Sequence, residues 1–129
     1  PVVCSHSSWK ALCDHPRNLD DRQIKALAAK GGVMQITMYS GFLRKEGEAT
    51  LEDFMQHLEH AISVAGIEHV GIGTDFDGDG AVNGCSSAAQ LRNVTRELLR
   101  RGYSNGDIEK IWGGNWLRVM KQVQEGTQL

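Results

Sequence analysis

Several features that would place a protein in a special class are missing from this sequence of 129 residues. It contains no apolar run of the roughly 18–20 residues that a transmembrane helix needs. Its formal net charge of -2 and its pI of about 6.2 argue against a protein that binds nucleic acids through basic patches. Its three cysteines form no Cys-x-x-Cys motif, so they suit neither a disulfide scaffold nor a zinc ribbon. We expect them to be small apolar residues in or near the core of one domain-sized unit.

Three short apolar runs in the sequence each lead to a residue that is capable of chemistry. They are Val2–Ser5 with His6, Val33–Met38 with Tyr39, and Val70–Gly73 with Thr74 and Asp75. A loop and a helical pattern follow each run, and repeated strand–loop–helix units are typical of a parallel sheet. In a (β/α)8 barrel the catalytic groups lie at the C-terminal ends of eight such strands, but only three are present here. We therefore interpret the chain, which opens inside the first run, as the C-terminal piece of an enzyme.

Local signals place the helices between and after these runs. The apolar periodicity predicts helices over 18–30, 51–65, 90–101 and 104–112, a short helix over 9–14, and a last helix from Asn115. Asn18 or Asp20 can cap the first of them, and Thr50 with Asp53 nearly matches a capping box. The loop over 40–49 is polar. The sequence therefore predicts one continuous β-α-β-α-β-α-α array.

Glycines refine this picture at two places. The pair Gly113-Gly114 is expected to break the chain between the last two helices, where Asn115 can cap the next one. That last helix carries an apolar stripe of Leu117, Met120 and Val123. The glycines in the third strand indicate a place where another backbone or a ligand comes close.

His6 and the aspartates after the third strand are the main candidates for chemistry. A neutral imidazole at His6 could bind a metal or move protons, or it could be hydrogen-bonded to the adjacent serine hydroxyls. Asp75 and Asp77 are two residues apart, so both carboxylates can point to the same side. Turn chemistry alone could also explain an Asp-Gly pair, but three aspartates in five residues favour a function.

The same aspartates match the first half of an EF-hand calcium loop. The pattern is Asp75-x-Asp77-x-Asp79-Gly80, but Ser86 stands at the twelfth position, where a bidentate Glu is needed. The preceding element also has the pattern of a strand, whereas an EF-hand requires a helix. A calcium-binding module is therefore a weak alternative.

Other polar and aromatic residues have less specific patterns. Arg17 follows Pro16 and precedes a helix, where a guanidinium could grip a carboxylate with two hydrogen bonds, although a surface arginine without a task is also consistent. His57 and His60 lie opposite an apolar stripe, so a solvated helix face is predicted for them. The tryptophans Trp9, Trp112 and Trp116 are expected to pack in the core or between helices.

In combination, the motifs resemble those of the renal (membrane) dipeptidase family of zinc metallodipeptidases, peptidase family M19. The segments that carry the resemblance, in chain order, are Ser5–Ser8, Arg17-Asn18, Gly71–Gly78, Glu97–Arg101 and Asn115–Val119. Members of this family are dinuclear zinc enzymes on a (β/α)8 barrel. The resemblance implies that residues 1–129 are the C-terminal portion of one such barrel domain, with about three βα units plus C-terminal helices and with the N-terminal half absent.

The resemblance also implies roles for three residues. His6 falls where the family has a histidine ligand of one zinc, and Arg17 falls where an arginine holds the C-terminal carboxylate of the substrate. Asp75 falls where a strand-end aspartate assists the tetrahedral intermediate and proton transfer to the leaving amine; no role is implied for Asp77. The remaining zinc ligands of the family would all lie upstream of this chain.

The function so implied is hydrolysis of dipeptides by a water that two zinc ions activate, with only one metal ligand present here. We expect residues 1–129 to be inactive alone, because His6 cannot hold a catalytic zinc without about two further protein ligands. Expected partners are a dipeptide substrate, the missing N-terminal barrel half and, from family precedent, a second copy in a homodimer. A barrel homologue that has lost its metal and serves as a binding or scaffold protein is the main alternative.

Overall fold

The three predicted strands form one parallel sheet in the computed structural model, which describes residues 1–126. Their order across the sheet is β1-β2-β3, with the bounds Val3–Ser7 (β1), Val33–Thr37 (β2) and Val70–Gly73 (β3). The central strand β2 is buried on both faces, as is typical of a parallel strand that helices cover. All three strands run in the same direction. Their carboxyl ends therefore meet at one edge of the sheet, here called the C-terminal edge, and the opposite edge is the N-terminal edge.

Helices follow each strand, as the sequence predicts. Their bounds are Asp21–Ala29 (α1), Ser40–Leu43 (α2), Leu51–Ala65 (α3), Arg92–Arg100 (α4), Asn105–Glu109 (α5) and Asn115–Gly126 (α6). Short 3-10 turns cover Ile67–His69 and Ala88–Gln90. The predicted helices over 18–30, 51–65 and 90–101 are confirmed with slightly different ends, whereas α2 lies in the stretch predicted to be a loop.

Reciprocal capping boxes begin α1 and α3. The Asp20 side chain accepts the Gln23 N–H at 2.8 Å, and the Gln23 side chain accepts the Asp20 N–H at 2.9 Å. Thr50 and Asp53 make the equivalent pair of bonds, so an aspartate completes a box in which glutamate is more usual. Of the two cap candidates for α1, Asp20 is the one used.

The predicted break at Gly113-Gly114 is wrong. The chain continues from α5 to α6 through a π-helical segment, Lys110–Gly114. Asn115 has helical backbone angles and is buried, so it does not cap α6. A π-turn accommodates one extra residue without ending the helix, so the two glycines do not interrupt the path from α5 to α6.

Asn115 and Arg118 instead hold the N-terminal edge together. The Asn115 side-chain amide donates to the carbonyls of Ile67 and Val70 at 2.7 and 2.8 Å. Arg118 donates to the carbonyls of Gly31 and Glu68 at 2.9 and 2.8 Å. These acceptors lie just before or at the start of β2 and β3. Both side chains therefore tie α6 to the edge of the sheet that lies away from the candidate site.

The predicted short helix over 9–14 does not form. Residues 8–20 make an irregular loop, which is closed by Lys10 N–H donating to Leu19 O and Leu19 N–H donating to Ser8 O, both at 2.9 Å. These bonds join residues about ten positions apart. A helix over 9–14 would instead pair each backbone N–H with the carbonyl four residues earlier.

The core lies between the sheet and the helices, and its largest fully buried side chains include Phe54, Met55 and Leu58 of α3. Cys13 and Cys85 are buried and Cys4 is half-buried, all as free thiols, which confirms their predicted apolar role. Trp9 and Trp112 pack against the core, as predicted. The predicted apolar stripe of α6 does not enter it, since Leu117 is 64% exposed. Within residues 1–126 no helix is long and apolar enough to cross a membrane.

The predicted close approach at the glycine-rich strand is confirmed. A Cβ atom on Gly73 would lie 2.0 Å from the carbonyl oxygen of Ser5, so no side chain fits there. Gly73 is in β3 and Ser5 is in β1, and a flat sheet would hold these two strands roughly 10 Å apart. The sheet is therefore strongly curled, with β1 and β3 approaching each other across the central strand.

Candidate active site

His6 lies in a β-bulge near the end of β1. The strand pairs with β2 through Cys4↔Met34 and then Ser7↔Ile36, so two residues of β1 stand opposite one residue of β2. Ser5 and His6 are the two residues in the bulge. A bulge bends its strand and redirects a side chain, and bulges are frequent at barrel rims beside active sites. The bulge therefore gives His6 a direction that the regular alternation of a strand would not.

The hydrogen bonds of His6 define its tautomer. Its Nε2 lies 3.4 Å from Nη2 of Arg17, and its Nδ1 lies 2.7 Å from the Ser5 hydroxyl. A guanidinium can only donate, so Nε2 carries the lone pair; in the neutral ring Nδ1 then carries the proton and donates to Ser5 Oγ. The hydrogen bond to an adjacent serine hydroxyl, which is the alternative interpretation of His6, is therefore present. It leaves Nε2 as the ring nitrogen that could bind a metal.

Arg17 is presented by the loop over 8–20, which is fastened to both the strand and α2. The Ser7 hydroxyl donates to the Arg17 carbonyl at 2.5 Å. The buried side chain of Asn18 accepts the Ser8 N–H at 3.1 Å and donates to the carbonyls of Cys13 and Phe42 at 2.9 and 2.7 Å. Asn18 therefore anchors the loop from the inside, immediately beside Arg17.

The guanidinium of Arg17 is exposed but rests against an aromatic ring. Its Cζ lies 5.5 Å from the ring centroid of Phe42, within the range of a cation–π contact. The rings of His15 and Tyr39 pack against the same phenylalanine, with centroids 4.5 and 4.9 Å away. Arg17 thus has a defined position with its hydrogen-bonding groups accessible, which suits recognition of a carboxylate.

Asp75 follows β3 at the same edge in an unusual backbone conformation. Its φ of 60° is left-handed, a region that residues other than glycine enter rarely and that is enriched at functional sites. Its carbonyl accepts the N–H groups of Gly78 and Gly80 at 2.9 and 2.7 Å. A Cβ atom on Gly78 would lie 2.6 Å from Asp75 Oδ1, so this glycine leaves the space that the carboxylate occupies.

The predicted solvated position of His57 is wrong, and its role was missed. His57 is 1% exposed, and burial lowers the pKa of its imidazole. Its Nδ1 accepts the Trp9 N–H at 2.9 Å, and its Nε2 lies 3.0 Å from the Leu43 carbonyl, to which it donates. The sequence contained a signal of this burial, since Phe54, His57 and Ala61 lie at i, i+3 and i+7 on one face of the helix, and that face is buried.

His60 is also less solvated than predicted. It stacks on the Trp9 ring, with centroids 3.1 Å apart, and its Nε2 lies 2.8 Å from Asp21 Oδ1. The hydrogen bond and charge of this histidine lower the pKa of Asp21. Two histidines of α3 therefore face the loop that carries Arg17.

The structure brings His6 and Arg17 together and places Asp75 at the same edge, two strands away. Within residues 1–126, no group of three or more His, Cys, Asp or Glu side chains is arranged to hold a metal. The aspartates at 75, 77 and 79 therefore do not form a calcium cage. His6 fits a metal as a single ligand with the correct tautomer, and the other ligands would have to come from outside these residues.

The cysteines do not offer a second kind of chemistry. Burial raises the pKa of Cys4, Cys13 and Cys85. A thiol nucleophile needs a lowered pKa, which a nearby cation or a helix N-terminus provides. Among the described residues, the candidates for chemistry at the C-terminal edge are therefore the imidazole of His6, the guanidinium of Arg17 and the carboxylate of Asp75.

Comparison with known proteins identifies one family. The family described as "Membrane dipeptidase (Peptidase family M19)" matches residues 1–128. Among curated relatives, Dipeptidase verJ of Clonostachys rogersoniana is 42% identical over 129 residues, which cover 97% of this chain and 32% of the relative. The chain spans 47% and 31% of the length of two further relatives.

Solved structures agree with this match. The probable dipeptidase PvdM from Pseudomonas aeruginosa superposes with a TM-score of 0.93 at 29% identity, covering 97% of this chain and 45% of that one. A metallopeptidase from Rhodobacter sphaeroides, bound to a phosphinate mimic of the dipeptide L-Ala-D-Ala, gives a TM-score of 0.87 at 30% identity, covering 94% and 36%. The fold similarity thus extends over nearly all of this chain and part of each neighbour.

Proposed function

The chain belongs to the membrane dipeptidase family, peptidase family M19, and on this premise we propose that it supplies part of the active site of a zinc-dependent dipeptidase. In this proposal His6 is a zinc ligand, Arg17 binds the substrate carboxylate and Asp75 transfers protons. The observation that carries it is the contact of 3.4 Å between His6 and Arg17, at the sheet edge from which Asp75 also extends.

Arg17 would select dipeptides through their free C-terminal carboxylate. Its guanidinium is exposed, is held by the Phe42 ring and can form two parallel hydrogen bonds with a carboxylate. A longer peptide has an amide at this position, which offers neither the charge nor the second oxygen. The dipeptide mimic bound to the Rhodobacter sphaeroides neighbour supports this substrate class.

Asp75 would move protons between the attacking water and the leaving amine. Its left-handed backbone and the absence of a side chain at Gly78 give the carboxylate a defined place beside that glycine, at the C-terminal edge of the sheet. A carboxylate positioned in this way can accept a proton as the water attacks and donate it as the peptide nitrogen leaves. The phosphinate in the Rhodobacter sphaeroides structure is tetrahedral at phosphorus, as the carbonyl carbon becomes after that attack.

His6 is the residue of this chain that would hold zinc. Its proton on Nδ1 and its lone pair on Nε2 form the tautomer that a metal ligand needs, and Ser5 fixes the ring. A pair of zinc ions supplies an activated water and polarises the substrate carbonyl. The guanidinium of Arg17 donates to Nε2 in this structure. Because the arginine side chain is long and exposed, it can leave Nε2 and turn toward a substrate.

Three features support the proposal that residues 1–129 are the C-terminal portion of a (β/α)8 barrel. The sheet is parallel and curled, and the relatives are two to three times longer than the matched part. Edge strand β1 is also flanked by two apolar grooves, of about 340 and 290 Å³. Residues that line them include Val2, Cys4, Leu19, Val3, Trp116 and Met120. The occupant we propose is the N-terminal part of the barrel, whose next strand would pair with β1.

The test compares the full-length gene product with residues 1–129. We expect about two zinc ions per chain and dipeptide turnover in the long form, and neither in the short form, which lacks the other ligands. Gel filtration of the same samples tests the homodimer. Bound zinc without turnover of any dipeptide would contradict the enzymatic proposal, and absence of zinc would favour a metal-free scaffold.

A further inference from the structure

The side chain of His57 joins the two segments that surround Arg17. Trp9, whose N–H it accepts at 2.9 Å, begins the loop that carries Arg17. Leu43, to whose carbonyl it donates at 3.0 Å, ends the helix that carries Phe42. The imidazole therefore bridges the segment that bears the guanidinium and the segment that bears its aromatic support.

Both hydrogen bonds require a neutral ring in one tautomer. Nδ1 must have its lone pair free to accept the Trp9 N–H, and Nε2 must carry the proton that goes to the Leu43 carbonyl. The ring is shielded from water on α3, a helix anchored in the core by Phe54 and Leu58. A rigid buried helix thus sets the relative position of these two segments.

The position of the guanidinium depends on that spacing. Arg17 contacts the Phe42 ring on one side and His6 Nε2 on another. Asn18 supplies an independent tie to the Phe42 carbonyl at 2.7 Å, close to Arg17 itself. His57 acts at the other end of the loop, where in its absence the backbone N–H of Trp9 would have no partner from α3.

We propose that His57 is a positioning residue for substrate binding. Through its bond to the Trp9 N–H it holds the first residues of the Arg17 loop against α3. This inference rests on the proposed dipeptidase function. His57 does not reach the reacting atoms. Its loss should therefore weaken binding of the substrate carboxylate and leave the chemical step nearly unchanged.

Two substitutions separate the two bonds. In His57→Asn the side-chain oxygen falls near the position of Nδ1, so it can still accept the Trp9 N–H, but it cannot reach Leu43. In His57→Gln the amide group falls near the position of Nε2, so it can still donate to Leu43, but it leaves Trp9 without an acceptor. We expect His57→Gln to raise KM by about tenfold with kcat within about twofold, and His57→Asn to stay near wild type.

A control distinguishes positioning from general destabilisation. Leu58→Ala removes a buried side chain from the same helix but leaves both bonds of His57 intact. We expect it to lower the melting temperature of the full-length protein and leave KM unchanged. An equal rise in KM in Leu58→Ala, or equal KM values in His57→Gln and His57→Asn, would overturn the positioning role.

Amide hydrogen exchange of the same full-length variants provides a measurement that does not depend on turnover. We expect faster exchange in the peptide covering residues 8–19 of His57→Gln, and wild-type exchange there in His57→Asn. Unchanged exchange in His57→Gln would overturn the inference even if the protein is an active dipeptidase. If no form hydrolyses dipeptides, the proposed function fails, and the exchange result alone decides whether His57 holds the loop.

Discussion

Gly73 of β3 faces Ser5 of β1 so closely that a Cβ atom at Gly73 would lie 2.0 Å from the Ser5 carbonyl oxygen. Ser5 belongs to the same bulge as His6, near the C-terminal edge of the sheet. The absence of one side chain in β3 therefore sets the backbone position of a candidate metal ligand in β1. The packing of β3 against β1 and the position of His6 therefore depend on the same contact.

Gly73→Ala should therefore damage both stability and metal binding. The added methyl group must push β1 away, which we expect to cost about 1–3 kcal/mol of the free energy of unfolding and to weaken zinc binding through His6. Urea denaturation and zinc titration of the full-length protein measure the two effects. Gly113→Ala is the matched control, because a Cβ atom there meets nothing within 4 Å and alanine favours a helix. Equal behaviour of the two variants would contradict this account.

Asp75→Asn should abolish most turnover without disturbing the fold. Asparagine also tolerates a left-handed backbone, so the φ of 60° can be kept, but its amide cannot exchange a proton. We expect kcat to fall by about 10²- to 10⁴-fold with a small change in KM. The matched control is Asp77→Asn, which removes the same charge from the exposed neighbour. Steady-state kinetics decide, and a comparable loss of kcat in both variants would refute a special role for Asp75.

The buried imidazole of His57 should make stability depend on pH. Burial lowers the pKa of His57 in the folded state, so the unfolded chain, with a pKa near 6.5, takes up the proton first as the pH falls. The stability from the neutral ring is complete above about pH 6.5 and declines below it, with a limiting slope of about 1.4 kcal/mol per pH unit.

Urea denaturation at pH 8, 6 and 5 measures this dependence. His57→Gln has no titrating group, so its deficit relative to wild type should shrink as the pH falls. Parallel stability curves for the two proteins would show that His57 keeps its ordinary pKa in the fold.

Asn115→Ala should affect stability but not activity. It leaves the carbonyls of Ile67 and Val70 without their partner at the N-terminal edge, which we expect to cost about 1–3 kcal/mol. The candidate site lies at the opposite edge, so KM, kcat and zinc content should not change in the folded fraction. Lys121→Ala, on the exposed face of the same helix, should stay within about 0.5 kcal/mol of wild type. A change in KM for Asn115→Ala would contradict the separation of the two edges.

Local chemistry made much of the fold predictable. The strands, α1, α3 and α4 follow from short apolar runs, periodic stripes and capping residues that act within one turn. His6 and Asp75 could likewise be named as candidates from their types and their places after strands, whereas the role of Arg17 rested on the resemblance to a known family. The hydrogen bonds through which Asn18 and His57 hold the loop in place could not be recognised in this way.

The sequence by itself determined the class of fold, the direction of the strands and the motif that carries the family, because each depends on neighbouring residues and on the order of elements. Only the tertiary structure decided the bulge at His6, the contact between His6 and Arg17, the hydrogen bonds of His57 and the π-helical path to α6. Each of these comes from a contact between segments far apart in the chain. The energy of such a contact depends on distances in the folded molecule, which the propensities of neighbouring residues do not determine.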